Sequence, residues 1–230
     1  MSDSIGKSLR DQYLAANHFP HIVLDNYFTS APIADVEREV YQNTTWSGVS
    51  EHSNASTKLH LSEFEHIPRA ARELVQYFNS PEFLIFLEDL TGIAGLISDP
   101  YLEGGGIHRI GRGGFLNMHA DFNYHAKLKL HRRVNVLFYL NSEWRTEFCG
   151  DLLLGDPRCE DLTRIAPLAN RLVVFNTTST SLHGHPEPLR CPGDRYRCSL
   201  AFYYYSSDRP DFEKQDPHST LYLEKDHALV

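Results

Sequence analysis

The chain has 230 residues, and its 22 Lys plus Arg against 30 Asp plus Glu give a formal net charge of −8. That acidity argues against a general nucleic-acid binder, which carries a basic face to displace counterions from phosphates. The 13 histidines outnumber the lysines, and because imidazole both ligates metals and titrates near neutrality, a metal or acid/base site is worth seeking. The length suits one domain spanning 1–230. The opening residues lack the basic-then-apolar order of a leader, and no stretch approaches the roughly 18 apolar residues of a membrane helix, so the expectation is a soluble, cytoplasmic protein. Cys149, Cys159, Cys191 and Cys198 fit neither zinc-finger nor CxxC spacing and read as free thiols.

In chain order, HIVLDNYF (21–28) reads as a strand, and Ser30 stands where it can cap a helix in which Ile33, Val36 and Val40 recur every three or four residues. IPRAARELVQYF and PEFLIFLEDLTGI read as two more helices, the second opening on Pro81 and closing at Gly92. From about Asp99 the pattern changes to short β-branched and aromatic runs: GIHRI, FLNMHAD, RVNVLFYLN, DLLLGD, LTRIA, RLVVFNT, SLHGH and YRCSLAFYYYS. The glycines at 104–106 and 111–114 read as tight turns. The expected fold is α+β, mainly β: a jelly roll over 98–206, buttressed by a helical and mixed N-terminal part (1–97) and closed by a polar tail or flap (207–230).

The chemistry concentrates in FLNMHAD. Residues two apart on a strand share a face, so His119 and Asp121 can reach one metal. His183 on another expected strand is the best third ligand, and two His with one carboxylate make the facial triad of non-haem Fe(II) oxygenases, which leaves three positions of an octahedral iron open. His185 has the same phase as His183 and competes with it. By the same parity Asn117 lines the pocket near the metal. Arg133, Asn135, Leu137 and Tyr139 share a face of their strand, as do Arg197, Ser199, Ala201 and Tyr203 of theirs.

Five elements in order, GRGGFLNMHAD, VNVLFYLNSEW, CGDLLLGD, RLVVFNTTSTSLH and RCSLAFYYY, give residues 107–205 a sequence that resembles the Fe(II)/2-oxoglutarate-dependent dioxygenases, in particular their prolyl-4-hydroxylase-like branch. The resemblance implies a double-stranded β-helix, iron held by His119, Asp121 and His183, and the distal carboxylate of 2-oxoglutarate paired with Arg197 and with Tyr139. A guanidinium meets a carboxylate in plane, which supports the Arg assignment. Asn135 and Asn117 are further candidates for cosubstrate contacts. Fe(II), 2-oxoglutarate and O2 would be used, with ascorbate as an optional reductant, to hydroxylate an unactivated C–H of a small molecule or an amino-acid or peptide side chain, releasing succinate and CO2. Halogenase relatives carry a small residue at the carboxylate position, so Asp121 points to hydroxylation.

The sequence departs from the branch in two places. The stretch from His183 to Arg197 spans 14 positions, longer than is usual in the family, and leaves Arg195 in phase as a competitor. Where some prolyl hydroxylases carry a Tyr about ten residues before the ligand pair, this chain has Ile110, which weakens the case for a prolyl substrate. Desaturation, epimerisation and cyclisation would use the same residues. A non-catalytic jelly roll binding a metal or small acid is the reading from another class, and a cosubstrate pocket at Tyr139 and Arg197 would separate the two.

Overall fold

The computed structural model describes residues 4–29 and 33–223. Helix α1 (Ile5–Leu14) opens with Ser4 accepting a hydrogen bond from the Lys7 amide. It carries almost no apolar stripe, since only Gly6 and Tyr13 are buried, and so gives no helical period to read. Strand β1 (His21–Leu24) and helix α2 (Ile33–Gln42) follow as expected, while the anticipated cap Ser30 lies outside the described residues. A hairpin of β2 (Gly48–His52) and β3 (Ala55–Leu61), too polar to stand out in the sequence, precedes α3 (Arg69–Phe78) and α4 (Pro81–Thr91). Ser80 caps α4 at the Phe83 amide, Pro81 occupies its first turn, and Gly92 ends it at φ 76°, a left-handed conformation that costs glycine little.

The β region comprises β4 (Ile97–Ser98), β5 (Gly106–Ala120), β6 (Tyr124–His125), β7 (Leu130–Tyr139), β8 (Leu152–Gly155), β9 (Thr163–Ile165), β10 (Arg171–Asn176), β11 (Leu182–His185), β12 (Arg197–Ser206) and β13 (Leu221–Tyr222). Their order in space is β1-β10-β7-β12-β5-β11-β8-β9, antiparallel throughout. GIHRI and FLNMHAD, expected as two strands around a turn, form the single strand β5. Its first half pairs β12 and β3, and its second half pairs β11 and β13, so one strand serves both sides of a nearly closed jelly roll.

Strand parity sorts the two faces. Val134, Val136 and Phe138 of β7, Leu172 and Val174 of β10, and Leu200, Phe202 and Tyr204 of β12 belong to one core with Leu74, Val75 and Phe78 of α3 and Phe83 and Leu87 of α4. Phe78 is the hinge of that packing, its ring centroid 4.8 Å from Phe202 and 5.5 Å from Phe138. The helices therefore cover one face of the sheet, and the alternate residues are left to line the barrel interior. The tail takes part as well, because Leu221 pairs Ala120 and Tyr222 pairs His119.

Candidate active site

His119 at the end of β5 stands directly across from His183 of β11 in the ladder, with ring centroids 4.4 Å apart. Asp121 follows β5, its Oδ1 3.6 Å from His119 Nε2 and its Oδ2 3.2 Å from His183 Nε2. One donor atom from each of the three lies within 4.8 Å of the others, the one such group of metal-ligating side chains among the described residues. The Nδ1 atoms of His119 and His183 face the backbone carbonyls of Asn117 at 2.8 Å and Ser181 at 3.5 Å. A proton held on Nδ1 leaves each Nε2 lone pair for a metal, the usual outer support of a ligating imidazole. Two imidazoles and one carboxylate on rigid strands are a donor set that fits octahedral Fe(II) with open positions.

Asp121 is answered from below. Arg132 Nη2 and Asn135 Nδ2 each donate to its Oδ2 at 2.7 Å, and Arg132 Nε donates to Asn135 Oδ1 at 2.9 Å. Burial alone would raise the Asp121 pKa, but the Arg132 guanidinium, then His183 and His119, hold the carboxyl well below the usual range. The group is therefore an anion ready to ligate. Arg132 is sandwiched by Tyr203, 3.4 Å from its ring centroid, and Phe122, 4.6 Å.

These groups face a cavity of about 210 Å³ whose wall also includes Lys58, His108, Leu137, His185, Arg197, Ser199 and Tyr222. Such a volume lies below the roughly 300–1,000 Å³ of ordinary ligand pockets. Arg197 is 4% exposed; its Nε donates to the Gly150 carbonyl at 2.7 Å and its Nη2 to the Tyr139 hydroxyl at 3.1 Å. Arg195, its competitor, points to the surface, donating to Glu143 at 3.0 Å. Tyr139 is fully buried behind Arg197 and reaches the cavity through it.

Of the expected site residues, the structure gathers His119, Asp121, His183, Arg197 and Asn135 around one cavity, with Tyr139 behind. Asn135 touches Asp121 and Arg132, on the ligand side and not beside Arg197. Asn117 is a correction: it is not on the cavity wall, and its side chain donates to Asn54 at 3.1 Å. The cause is a β-bulge, since His183 and His185, two apart, oppose His119 and Leu116, three apart. The extra residue reverses the alternation, and Leu116 takes the inward place expected of Asn117. A second bulge, where Tyr204 and Tyr205 oppose Val134 and Arg132, turns Arg132 inward in place of Arg133, which bonds Ser206 and the Asp208 carbonyl instead. His125 is fully buried on β6, its Nε2 3.5 Å from Asp99 and 3.3 Å from Glu103.

Gly184 sits between the two histidines of β11 where a Cβ would meet the Asn117 carbonyl oxygen at 2.7 Å and that of Leu116 at 2.8 Å. Both are backbone atoms of the bulge and have little room to yield. Gly184→Ala is therefore expected to cost about 1–3 kcal/mol, the range for overpacking, and to weaken Fe(II) binding by pushing β11 from β5. Urea unfolding and a metal titration check it, and full retention of both would contradict this packing.

Burial first, then Lys58 and His60, lower the His108 pKa well below its ordinary value, so the folded state keeps this imidazole neutral. The unfolded chain takes up that proton near pH 6.5, so the stability it represents is present above that pH and is lost as pH falls below it. The unfolding free energy of the metal-free protein, from urea titrations, should fall between about pH 7 and 5.5, by up to about 1.4 kcal/mol per pH unit for this group. In His108→Gln the slope should be shallower, and an unchanged slope would refute the assignment.

Residues 105–205 match the family model described as the 2OG-Fe(II) oxygenase superfamily. No curated protein matches the chain. Among solved structures, a prolyl hydroxylase from Trichoplax adhaerens, in complex with a hypoxia inducible factor oxygen degradation domain peptide fragment, is similar at 18% identity and a TM-score of 0.63, covering 91% of this chain and 93% of that one. A Pseudomonas putida prolyl-4-hydroxylase matches at 18% identity and a TM-score of 0.58, covering 88% and 100%. HygX from Streptomyces hygroscopicus, with nickel, 2-oxoglutarate and hygromycin B bound, matches at 12% identity and a TM-score of 0.59, covering 91% and 96%. These likenesses agree on the jelly roll. The family match lies across that same core, so residues 105–205 are similar to the 2OG-Fe(II) oxygenase superfamily in sequence as well as in fold.

Proposed function

We propose that the protein is an Fe(II)- and 2-oxoglutarate-dependent dioxygenase that hydroxylates a small molecule or a single amino-acid side chain. The observation that carries the reading is the meeting, in one small cavity, of the His119–Asp121–His183 group with the buried Arg197–Tyr139 pair. A pure metal-binding module needs the first and has no use for the second.

In this reading His119 Nε2, His183 Nε2 and an Asp121 oxygen hold the iron, which together with 2-oxoglutarate and O2 supplies the oxidising chemistry and leaves succinate and CO2. Arg197 receives the distal carboxylate of 2-oxoglutarate. The Gly150 carbonyl and the Tyr139 hydroxyl fix its guanidinium in advance, so little side-chain freedom is lost on binding. Asn135 and Arg132 keep Asp121 deprotonated and oriented. Tyr222, 5.5 Å from the His119 ring, and the apolar wall of Leu116, Leu137 and Leu152 limit the entry of water. The small cavity supports a compact substrate, although similar proteins span a peptide complex and a hygromycin B complex.

The whole chain acting as one domain is part of the proposal, since helices and sheet share one core. The expected cytoplasmic location is supported by four unpaired thiols. No helix among the described residues is long and apolar enough to cross a membrane. Turnover without primary substrate tests the function: succinate should form from 2-oxoglutarate only with Fe(II) and O2 together, and should vanish in Asp121→Ala. Succinate formation that survives Asp121→Ala, or none in the wild type under any condition, would reject it.

A further inference from the structure

We propose that the cavity holds a second carboxylate subsite, centred on the Lys58 ammonium, and that the primary substrate is a small molecule that docks there by its own carboxylate. The proposal rests on the oxygenase reading above and adds the chemical class of the substrate.

The fold spends strain to put Lys58 where it is. Between Ser56 and Lys58 the ladder of β3 with β5 shifts register, and Thr57 takes φ 53°, a left-handed conformation that is rare for a β-branched residue. The Glu51 carboxylate clamps the distortion, accepting from the Thr57 amide at 2.8 Å and the Ser56 hydroxyl at 2.7 Å. The result is that Lys58 lines the cavity from β3. Strained backbone held by dedicated hydrogen bonds beside an active site is a feature to be explained by function.

The charges around it are unevenly answered. Among the described residues Asp121 is the one carboxylate on the cavity wall, and it is paired with Arg132. Arg197 is reserved for the cosubstrate. Lys58 has no hydrogen bond and no ion pair to its ammonium among the described residues, and desolvation brings its pKa down to about 8. Beside it stand His108 and His185, the latter 3% exposed with neither ring nitrogen partnered by protein. A buried polar side chain without a partner is costly unless something fills the place. One ammonium answers a single negative charge, which suits a carboxylate better than a phosphate dianion.

Position separates this subsite from the cosubstrate's. Lys58 and Gly104 line both the inner cavity and an outer vestibule of about 390 Å³, whose walls include Ser50, His60, Tyr101, Glu103 and Lys127. Lys58 thus stands at the neck through which a substrate passes, whereas Arg197 is deep, against Gly150 and Tyr139.

The test uses the intact protein loaded anaerobically with Fe(II) and 2-oxoglutarate, reading the visible charge-transfer band of the chelated keto acid. Acetate, benzoate and the common L-amino acids are titrated, each against its carboxamide. At least one carboxylate should move the band without bleaching it, and its carboxamide should require about tenfold more or worse, the least expected for loss of a charge-assisted hydrogen bond. Lys58→Met should weaken that carboxylate by about tenfold beyond any change in the 2-oxoglutarate titration, with Lys58→Arg restoring part of it. Acids and amides acting alike, no probe moving the band, or Lys58→Met weakening 2-oxoglutarate in equal proportion would overturn the proposal while leaving the oxygenase reading intact. A wild type that forms no band at all fails at the earlier step and sinks both.

Discussion

Arg197→Met is expected to lower 2-oxoglutarate affinity by about 2–4 kcal/mol, roughly 30- to 700-fold, because it removes one partner of a buried, hydrogen-bonded charge pair. The site is otherwise preserved: Met fills much of the same volume, and the two groups that orient the guanidinium, Gly150 and Tyr139, remain in place. Removing Tyr139's hydroxyl with Tyr139→Phe should cost less, about 0.5–1.5 kcal/mol, since it loosens the Arg without deleting its charge. Arg195→Met should change 2-oxoglutarate affinity little, as its guanidinium lies at the surface against Glu143. Calorimetric titration of 2-oxoglutarate into the metal-loaded protein separates the three variants. Equal losses at 195 and 197 would mean that the cosubstrate does not lie where the cavity suggests.

The second large effect is on the scaffold. Arg132→Met leaves the Asp121 carboxylate, about nine-tenths buried, without its cation, and breaking a buried pair in this way costs about 3–5 kcal/mol. The loss is aggravated because Arg132 also stacks on Tyr203 and steadies Asn135. In the metal-free protein this should appear as a large fall in the urea midpoint. Bound Fe(II) should recover part of it by supplying positive charge to the same carboxylate. A loss below about 1 kcal/mol in the apo protein would show that Asp121 tolerates isolation and that the pair does not set its charge state.

How far the sequence reveals this site follows from where strands keep their alternation. His119, Asp121 and His183 were legible because spacing and motif order, taken with the family resemblance, single them out. The inward set Asn135, Leu137 and Tyr139 was legible because β7 is regular from 134 onward. The parity argument fails at two bulges beside the cavity, where Asn117 turns out and Arg132 replaces Arg133, and a third bulge turns Lys58 in on a strand the sequence does not announce. Nothing in period-two counting announces a bulge. The signals that could have hinted at them are local, such as the Gly111 to Gly114 run opposite Thr57 and the adjacent arginines at 132 and 133. The helical layer was read from its apolar stripes, except α1, whose contact with α4 depends on Gly6 lying close to the Phe86 carbonyl. The β2–β3 hairpin escaped because its residues serve the cavity and the surface more than the core.

The most direct measurement of the central claim is anaerobic addition of Fe(II) and then 2-oxoglutarate, followed by visible absorption. The account predicts a charge-transfer band in the wild type, its loss in His183→Ala, and its survival in His185→Ala. No band in the wild type, or a band untouched by His183→Ala, would contradict the claim that His119, Asp121 and His183 hold the iron to which the keto acid binds.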